Sequence, residues 1–307
     1  MKYRRLGKTQ LRVSVIGIGT WQLGGEWGKT FEQAQVDAMC AKAAELGINL
    51  IDTAECYGDH LSEKLIGRAI EGRRDKWIIA TKFGHRFKPG FDRENLFEPA
   101  QVERQLEDSL KALQTDYVDL YQFHSGTDEL FQTPSLWEML QKQVEAGKVR
   151  HLGISISSRL SGTHQADNAS AIGAEAIQVV YNRIERKPEE GILDSCIQQD
   201  LGVLARVPLA SGFLSGKYGK GATFADSDVR STWQDGDEML RIIEQVEEFR
   251  SEVPQGVSMA HWALAWCLQH PAVTCVIPGC KTVEQVEANA KAADLPAVRE
   301  DHPQAMP

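Results

Sequence analysis

Runs of β-branched, leucine and aromatic residues alternate with amphipathic helical patterns along the whole chain, and this alternation limits the fold more than any other feature. After a hairpin pattern at residues 3–5 and 11–13, strand-like runs follow at 15–19, 48–52, 77–82, 117–123, 149–155, 176–180, 203–207 and 273–277. Helical patterns lie between them, for example at 31–46, 101–113, 134–146 and 282–292. Alternating β and α segments imply parallel strands joined by crossover helices. Eight β units within 307 residues fit a closed (β/α)8 TIM barrel, an α/β fold, better than an open sheet. Small residues and glycines at 210–227 lead into helical stretches at 237–252 and 258–269, so an extra helix is expected near the C-terminus. No Pro/Ser-rich linker or shift of composition divides residues 1–307, which read as a single domain.

Composition excludes several classes. The net charge is −9, and the longest basic cluster is Arg73, Arg74 and Lys76. A binder of nucleic acid would carry a basic stripe, and an acidic balance also disfavours an anionic membrane surface. No apolar run reaches the roughly 20 residues needed to span a bilayer. The opening MKYRRLGKTQLRVS is basic but lacks the apolar core of a signal peptide. The six cysteines (40, 56, 196, 267, 275 and 280) form no CxxC pair, and free thiols suit a reducing compartment. A cytoplasmic protein is expected.

Four side chains with complementary chemistry fall at the ends of successive strand runs. Asp52 and Tyr57 lie in NLIDTAECYG, Lys82 in WIIATKF and His124 in DLYQFH. Each has an ordinary explanation alone: a helix cap, a loop aromatic, a solvated strand end, a semi-buried histidine. In parallel strands, however, all four converge on the C-terminal face, where barrels place their chemistry. A phenol with a free pKa of about 10 makes a useful acid only in special company. An adjacent ammonium lowers that pKa. Lys82 is expected in that role, with Asp52 holding it and His124 bonding the phenol or a bound carbonyl.

The settings of these residues resemble the aldo-keto reductases. The likeness extends through RRLGKTQLRVSVIGIGTWQLGG, VRHLGISIS, PLASGFLSGKY and VIPGCKTVEQVEANA, nearly the whole chain. It implies an enzyme that binds NADP(H) across the C-terminal face and reduces aldehydes or ketones to alcohols by hydride transfer. It implies Tyr57 as general acid, with Lys82, Asp52 and His124 completing a catalytic tetrad. Asp52, Gly19, Thr20 and Trp21 would then sit near the nicotinamide, and Ser155 and Gln178 at its carboxamide. Arg206 stands where many members stack an aromatic ring, ahead of Pro208 and Leu209. Ser211, Gly212, Leu214 and Lys217 would follow the pyrophosphate. Gly279, Lys281, Thr282, Gln285 and Asn289 occupy the segment for the 2′-phosphate. That segment's usual Lys-Ser and downstream Arg are replaced here by Gly279-Cys280 and Gln285. NADP(H) is expected on the strength of Lys281, with NAD(H) the weaker alternative. The expected partner is a small-molecule carbonyl substrate. A related branch serves potassium channels as cofactor-sensing auxiliary subunits with slow turnover, and the tetrad does not separate the two roles.

Other chemistries fit less well. Gly17-x-Gly19 follows a strand, but Gln22 replaces the final glycine of a Rossmann fingerprint. His261 and His270 lack the HExxH spacing of a zinc site. A metal-assisted hydrolase built on Asp52 and His124 needs a third ligand that the strand ends do not supply, so no metal is expected. Trp21, Trp27, residues 83–91 and Trp233 are candidate substrate walls, and His85, Arg86 and Arg183 are candidates to meet polar or anionic groups.

Overall fold

The computed structural model describes residues 1–157, 163–232 and 236–307. Strands β1 (Tyr3–Arg5) and β2 (Arg12–Ser14) form an antiparallel hairpin. Then come β3 (Ile18–Gly19), β4 (Leu50–Asp52), β5 (Ile78–Phe83), β6 (His85–Lys88) and β7 (Asp92–Asn95). They are followed by β8 (Val118–His124), β9 (Val149–Ser155), β10 (Ala174–Val180), β11 (Gly202–Arg206), β12 (Cys275–Val276) and β13 (Ala305–Met306). Eight of these, β3, β4, β5, β8, β9, β10, β11 and β12, pair in parallel in that order. Parallel bridges Ile16–Val276 and Gly19–Gly279 join the first of them to the last and close the barrel.

The period-two alternation of strands sets what faces the barrel axis. Leu50, Ala80, Leu120, Ala176, Leu204 and Cys275 form an apolar inner layer, all at most 1% exposed. Leu6 and Val13 of the N-terminal hairpin complete that cluster and plug the floor. Two residues further along the strands, the inward positions turn polar: Asp52, Lys82, Gln122 and Gln178. Their opposite faces (Ile51, Ile79, Tyr121, Phe123, Ile177) pack under the helices in the main core. The barrel therefore has an oily floor and a polar upper layer at the strands' C-terminal ends.

Helices begin where caps dictate. The helix Gln33–Glu45 starts two residues later than the apolar pattern suggests, because Glu32 and Gln35 form a reciprocal capping box. The helix Pro99–Leu113 starts two residues earlier, with Pro99 in its first turn and Glu98 boxed with Gln101. The expected extra helix is present as Gly236–Glu248, and Met259–Leu268 follows it. Two features lie outside the sequence expectations. The hairpin β6–β7 fills what reads as a loop: its strands are too polar for an apolar run, but Gly90 (φ 86°) and Phe91 (φ 68°) turn the chain between Lys88 and Asp92. Strand β13, only two residues long, pairs antiparallel with β1 and extends the floor hairpin to a three-stranded sheet.

The floor layer carries a stability test. Leu120 is fully buried inside the barrel. Leu120→Ala is expected to lower the unfolding free energy by about 2–5 kcal/mol, read as a drop in denaturation midpoint at unchanged slope.

Candidate active site

The polar layer is built around one buried ion pair. Lys82 Nζ donates to Asp52 Oδ2 and to the Thr53 carbonyl, each at 2.7 Å, and lies 3.3 Å from the Tyr57 hydroxyl. Lys82 is 0% and Asp52 3% exposed. The other carboxylate oxygen, Asp52 Oδ1, accepts from Gln178 Nε2 at 2.7 Å and Gln122 Nε2 at 3.1 Å. Ser155 Oγ donates to Gln178 Oε1 at 3.4 Å. A hydroxyl relay fixes the strand end itself: Thr53 donates to Ser62, Ser62 to Thr20, and Thr20 to the Asp52 carbonyl.

Tyr57 sits on the turn after β4, locked against the first strand–helix loop by two glycines. A Cβ on Gly24 would lie 2.7 Å from the Tyr57 carbonyl carbon, and one on Gly58 (φ 65°) 2.4 Å from the Gly24 oxygen. Only bare backbone lets these loops touch. The phenol ring stacks beside Trp21, centroids 6.0 Å apart, and meets the His124 ring edge-on at 6.2 Å. Of the two partners expected for His124, the phenol or a bound carbonyl, the phenol is not hydrogen-bonded to it. His124 Nδ1 instead faces Cys56 Sγ at 3.8 Å and Glu55 Oε2 at 3.9 Å.

Burial dominates the titration of this site. It pushes the Tyr57 phenol up to about 12, and Lys82 offsets only part of that rise. The sequence expectation of a net lowering is thus reversed: the ammonium pulls downward, but desolvation is larger. Burial alone would depress Lys82, yet Asp52 and then Tyr57 hold it above the ordinary lysine value. His124 lies well below the usual histidine range through burial, then through the positive charges of Lys82, Arg206 and Arg93. At neutral pH these shifts leave the Lys82 ammonium charged, the phenol protonated and the imidazole neutral.

These groups open onto a cavity of about 590 Å³. Tyr57, Asp52, His124, Gly19, Thr20, Trp21, Gln178, Arg206, Pro208 and Leu209 line it. Ser211, Gly212, Lys217, Gly279, Lys281, Gln285 and Asn289 continue the wall. Four of the singled-out residues lie behind the wall. Lys82 and Ser155 support it from within the barrel, both 0% exposed. Leu214 packs against Ile243, Met259 and Trp262 in a satellite core. Thr282 caps the helix Val283–Lys291, its hydroxyl accepting from the Gln285 amide. Of the candidate walls, Trp21, Trp27 and His85 reach the cavity. Arg86 is exposed near Glu94, Arg183 pairs with Glu252 at 2.7 Å, and Trp233 lies outside the described residues.

Sequence reasoning missed Gln122, although two-residue alternation back from His124 points it inward. It also missed Arg93, which reaches the cavity from β7 and pairs with Glu26 at 2.5 Å. Arg230 escaped notice as well. It is held by Asp228 at 2.6 Å and lies 4.0 Å from the Phe224 ring centre. Arg230 and Asp228 are only two positions apart, but no motif marks the pair.

The site is thus a buried lysine–aspartate pair and a half-buried tyrosine at the C-terminal mouth of a closed parallel barrel. Comparison with known proteins gives the family: residues 15–305 match the Aldo/keto reductase family. The chain belongs to that family. It is 34% identical to Aldo-keto reductase YhdN of Bacillus subtilis over 94% of this chain and 87% of that one. It is 32% identical to Aldo-keto reductase yakc [NADP(+)] of Schizosaccharomyces pombe, over 90% of this chain and 83% of that one. A probable voltage-gated potassium channel subunit beta of Arabidopsis thaliana is 29% identical over 96% and 92%. Among solved structures, the holo form of aldo-keto reductase AKR11C1 from Bacillus halodurans superposes with a TM-score of 0.80, at 29% identity over 96% of this chain and 91% of that one.

The ion pair gives a second stability test. Lys82→Met leaves the Asp52 carboxylate buried without its cation and is expected to cost about 3–5 kcal/mol. The double variant Lys82→Met/Asp52→Asn should recover part of that loss in urea denaturation, a coupling that two independent sites would not show.

Proposed function

We propose that this chain reduces aldehyde or ketone carbonyls to alcohols with NADP(H), Tyr57 acting as the general acid. The observation that carries the reading is the buried Asp52–Lys82 pair joined to the half-buried Tyr57 hydroxyl at the cavity. The wall suits a dinucleotide. Gln22 Oε1 and Arg206 Nε are buried without hydrogen-bond partners on it. A Cβ on Gly19 would come within 2.6 Å of the Ile277 oxygen, so the chain there is bare backbone. Lys217, Arg230 and Lys281 supply positive charge along the same cavity. The bound cofactor would supply the hydride.

The residues of the chain handle the proton. A carbonyl oxygen gains negative charge as it is reduced and needs a proton within hydrogen-bond reach. The phenol is fully protonated at neutral pH, so the donor is loaded before substrate arrives. Lys82 stabilises the phenolate left behind, while Asp52 keeps the site from carrying an extra positive charge. His124, neutral, can donate or accept one hydrogen bond at the substrate oxygen. Preference for the phosphorylated cofactor rests on Lys281 with Lys217 and Arg230, and on the NADP(+) named for the Schizosaccharomyces relative.

Consumption of NADPH and NADH with a panel of aldehydes, ketones and sugars, followed by absorbance, tests this directly. Tyr57→Phe should lose a factor of about 10²–10⁴ in turnover, with cofactor affinity changed only a few-fold. Wild-type rates in that variant would remove Tyr57 from the role. The likeness to a channel subunit from Arabidopsis supports a second reading, a cofactor-sensing auxiliary subunit. Slow turnover with tight cofactor retention across the whole panel would favour it.

The pH dependence has a definite sign. The active donor is the protonated phenol, so reduction is lost as pH rises through its pKa. Burial raises that pKa to about 12. Single-turnover reduction should therefore stay flat through pH 10, where a free tyrosine would be half ionised. A fall centred below pH 9 would contradict the assignment.

A further inference from the structure

Beside the tyrosine lies a cluster of which the proposed reduction uses only His124. Ligand atoms, one each from Glu55, Cys56 and His124, fall within 4.8 Å of one another. Glu55 is 2% exposed. Its Oε1 accepts the His85 backbone N–H at 2.8 Å, while Oε2 is buried with no hydrogen-bond partner. That oxygen lies 3.9 Å from His124 Nδ1, too far for a hydrogen bond. An unsatisfied buried carboxylate oxygen costs free energy unless something positive meets it.

We propose that Glu55, Cys56 and His124 form a binding site for a borderline-soft divalent cation, best matched by Zn²⁺, and that its occupancy switches off the proposed reductase activity. Carboxylate, thiolate and imidazole are the three ligand types that zinc takes. Ligands about 2.0–2.3 Å from a tetrahedral zinc lie roughly 3.3–3.8 Å apart. Two separations here, 3.8 and 3.9 Å, are already close to that spacing. The third is at most 4.8 Å, so it needs to contract by no more than about 1.5 Å. Cys56 and His124 line the cavity, which leaves the fourth position open to water or a substrate oxygen.

Charge favours the same ion. A carboxylate and a thiolate cancel a dication, so the filled site is itself neutral beside Lys82, Arg93 and Arg206. Calcium and magnesium demand more oxygen ligands than the cluster holds. The thiol and any proton on Glu55 must leave as the metal enters, so affinity rises with pH. Inhibition follows from geometry. A metal on His124 fixes the imidazole next to Tyr57 and puts a Lewis acid within the space a carbonyl must enter. The inhibitory half of the proposal rests on the reductase reading; the binding half does not.

The test uses the intact protein without cofactor. Co²⁺ serves as the spectroscopic probe, since cobalt bound to thiolate shows a charge-transfer band that oxygen and nitrogen ligands do not give. Zn²⁺ affinity is measured by competition with a fluorescent indicator. A thiolate band at one Co²⁺ per chain, lost in Cys56→Ala, is expected. So is a tenfold or greater weakening of Zn²⁺ binding in Cys56→Ala and in Glu55→Gln. Five other buried cysteines could bind metal only if the fold opened, and the circular dichroism of each variant with and without metal checks this. Binding without a thiolate band, or equal Zn²⁺ affinity in wild type and Cys56→Ala, would overturn the site. If the protein reduces carbonyls, Zn²⁺ should inhibit wild type at the concentration that fills the site and Cys56→Ala only at tenfold more. Binding without that inhibition would overturn the switch alone, and absence of any reductase activity would leave the binding result standing.

Discussion

The lysine–aspartate pair inside the barrel is the constraint from which the rest of the upper layer follows. Two opposite charges out of contact with water hold together only if every remaining polar atom finds a partner. Asp52 uses both oxygens and Lys82 finds three acceptors, so the pair recruits Gln122, Gln178, the Thr53 carbonyl and the Tyr57 hydroxyl. Those contacts tie β4, β5, β8 and β10 together at one level. The apolar floor beneath excludes water, and the hydroxyl relay behind Asp52 steadies the strand end. Tyr57 thus meets a fixed ammonium with little freedom to drift.

The same burial that makes the pair strong also reverses a simple electrostatic expectation. A neighbouring ammonium makes a phenol more acidic in water, and its pull here is downward. Removal of solvent acts on the phenolate more strongly than one ammonium already committed to Asp52. A group can therefore be favourably placed next to a cation and still stay protonated. For a proton donor this is the useful state; for a base in the reverse direction it is not.

Much of the architecture is legible in the residue pattern, because eight apolar runs with intervening helices leave few alternatives. The inward layer is legible too, once strand alternation is applied from Asp52, Lys82 and His124. Helix starts are harder: Glu32 and Glu98 cap through side chains, and an apolar pattern does not register such bonds. The β6–β7 hairpin escapes because its strands are nearly all polar, and with it Arg93, whose partner Glu26 lies in a distant loop; Arg230 pairs with Asp228 two residues away in a segment that carries no motif. Leu214 and Thr282 show the opposite limit. Each lies in a cavity-forming segment, yet one side chain turns into a core and the other caps a helix.

The floor sheet has a practical corollary. Pairing of β13 with β1 brings the first and last strands side by side under the barrel, at the pole away from the cavity. A fluorescent protein, an affinity handle or a solid support attached at either terminus would project from that pole and leave the entrance facing solution.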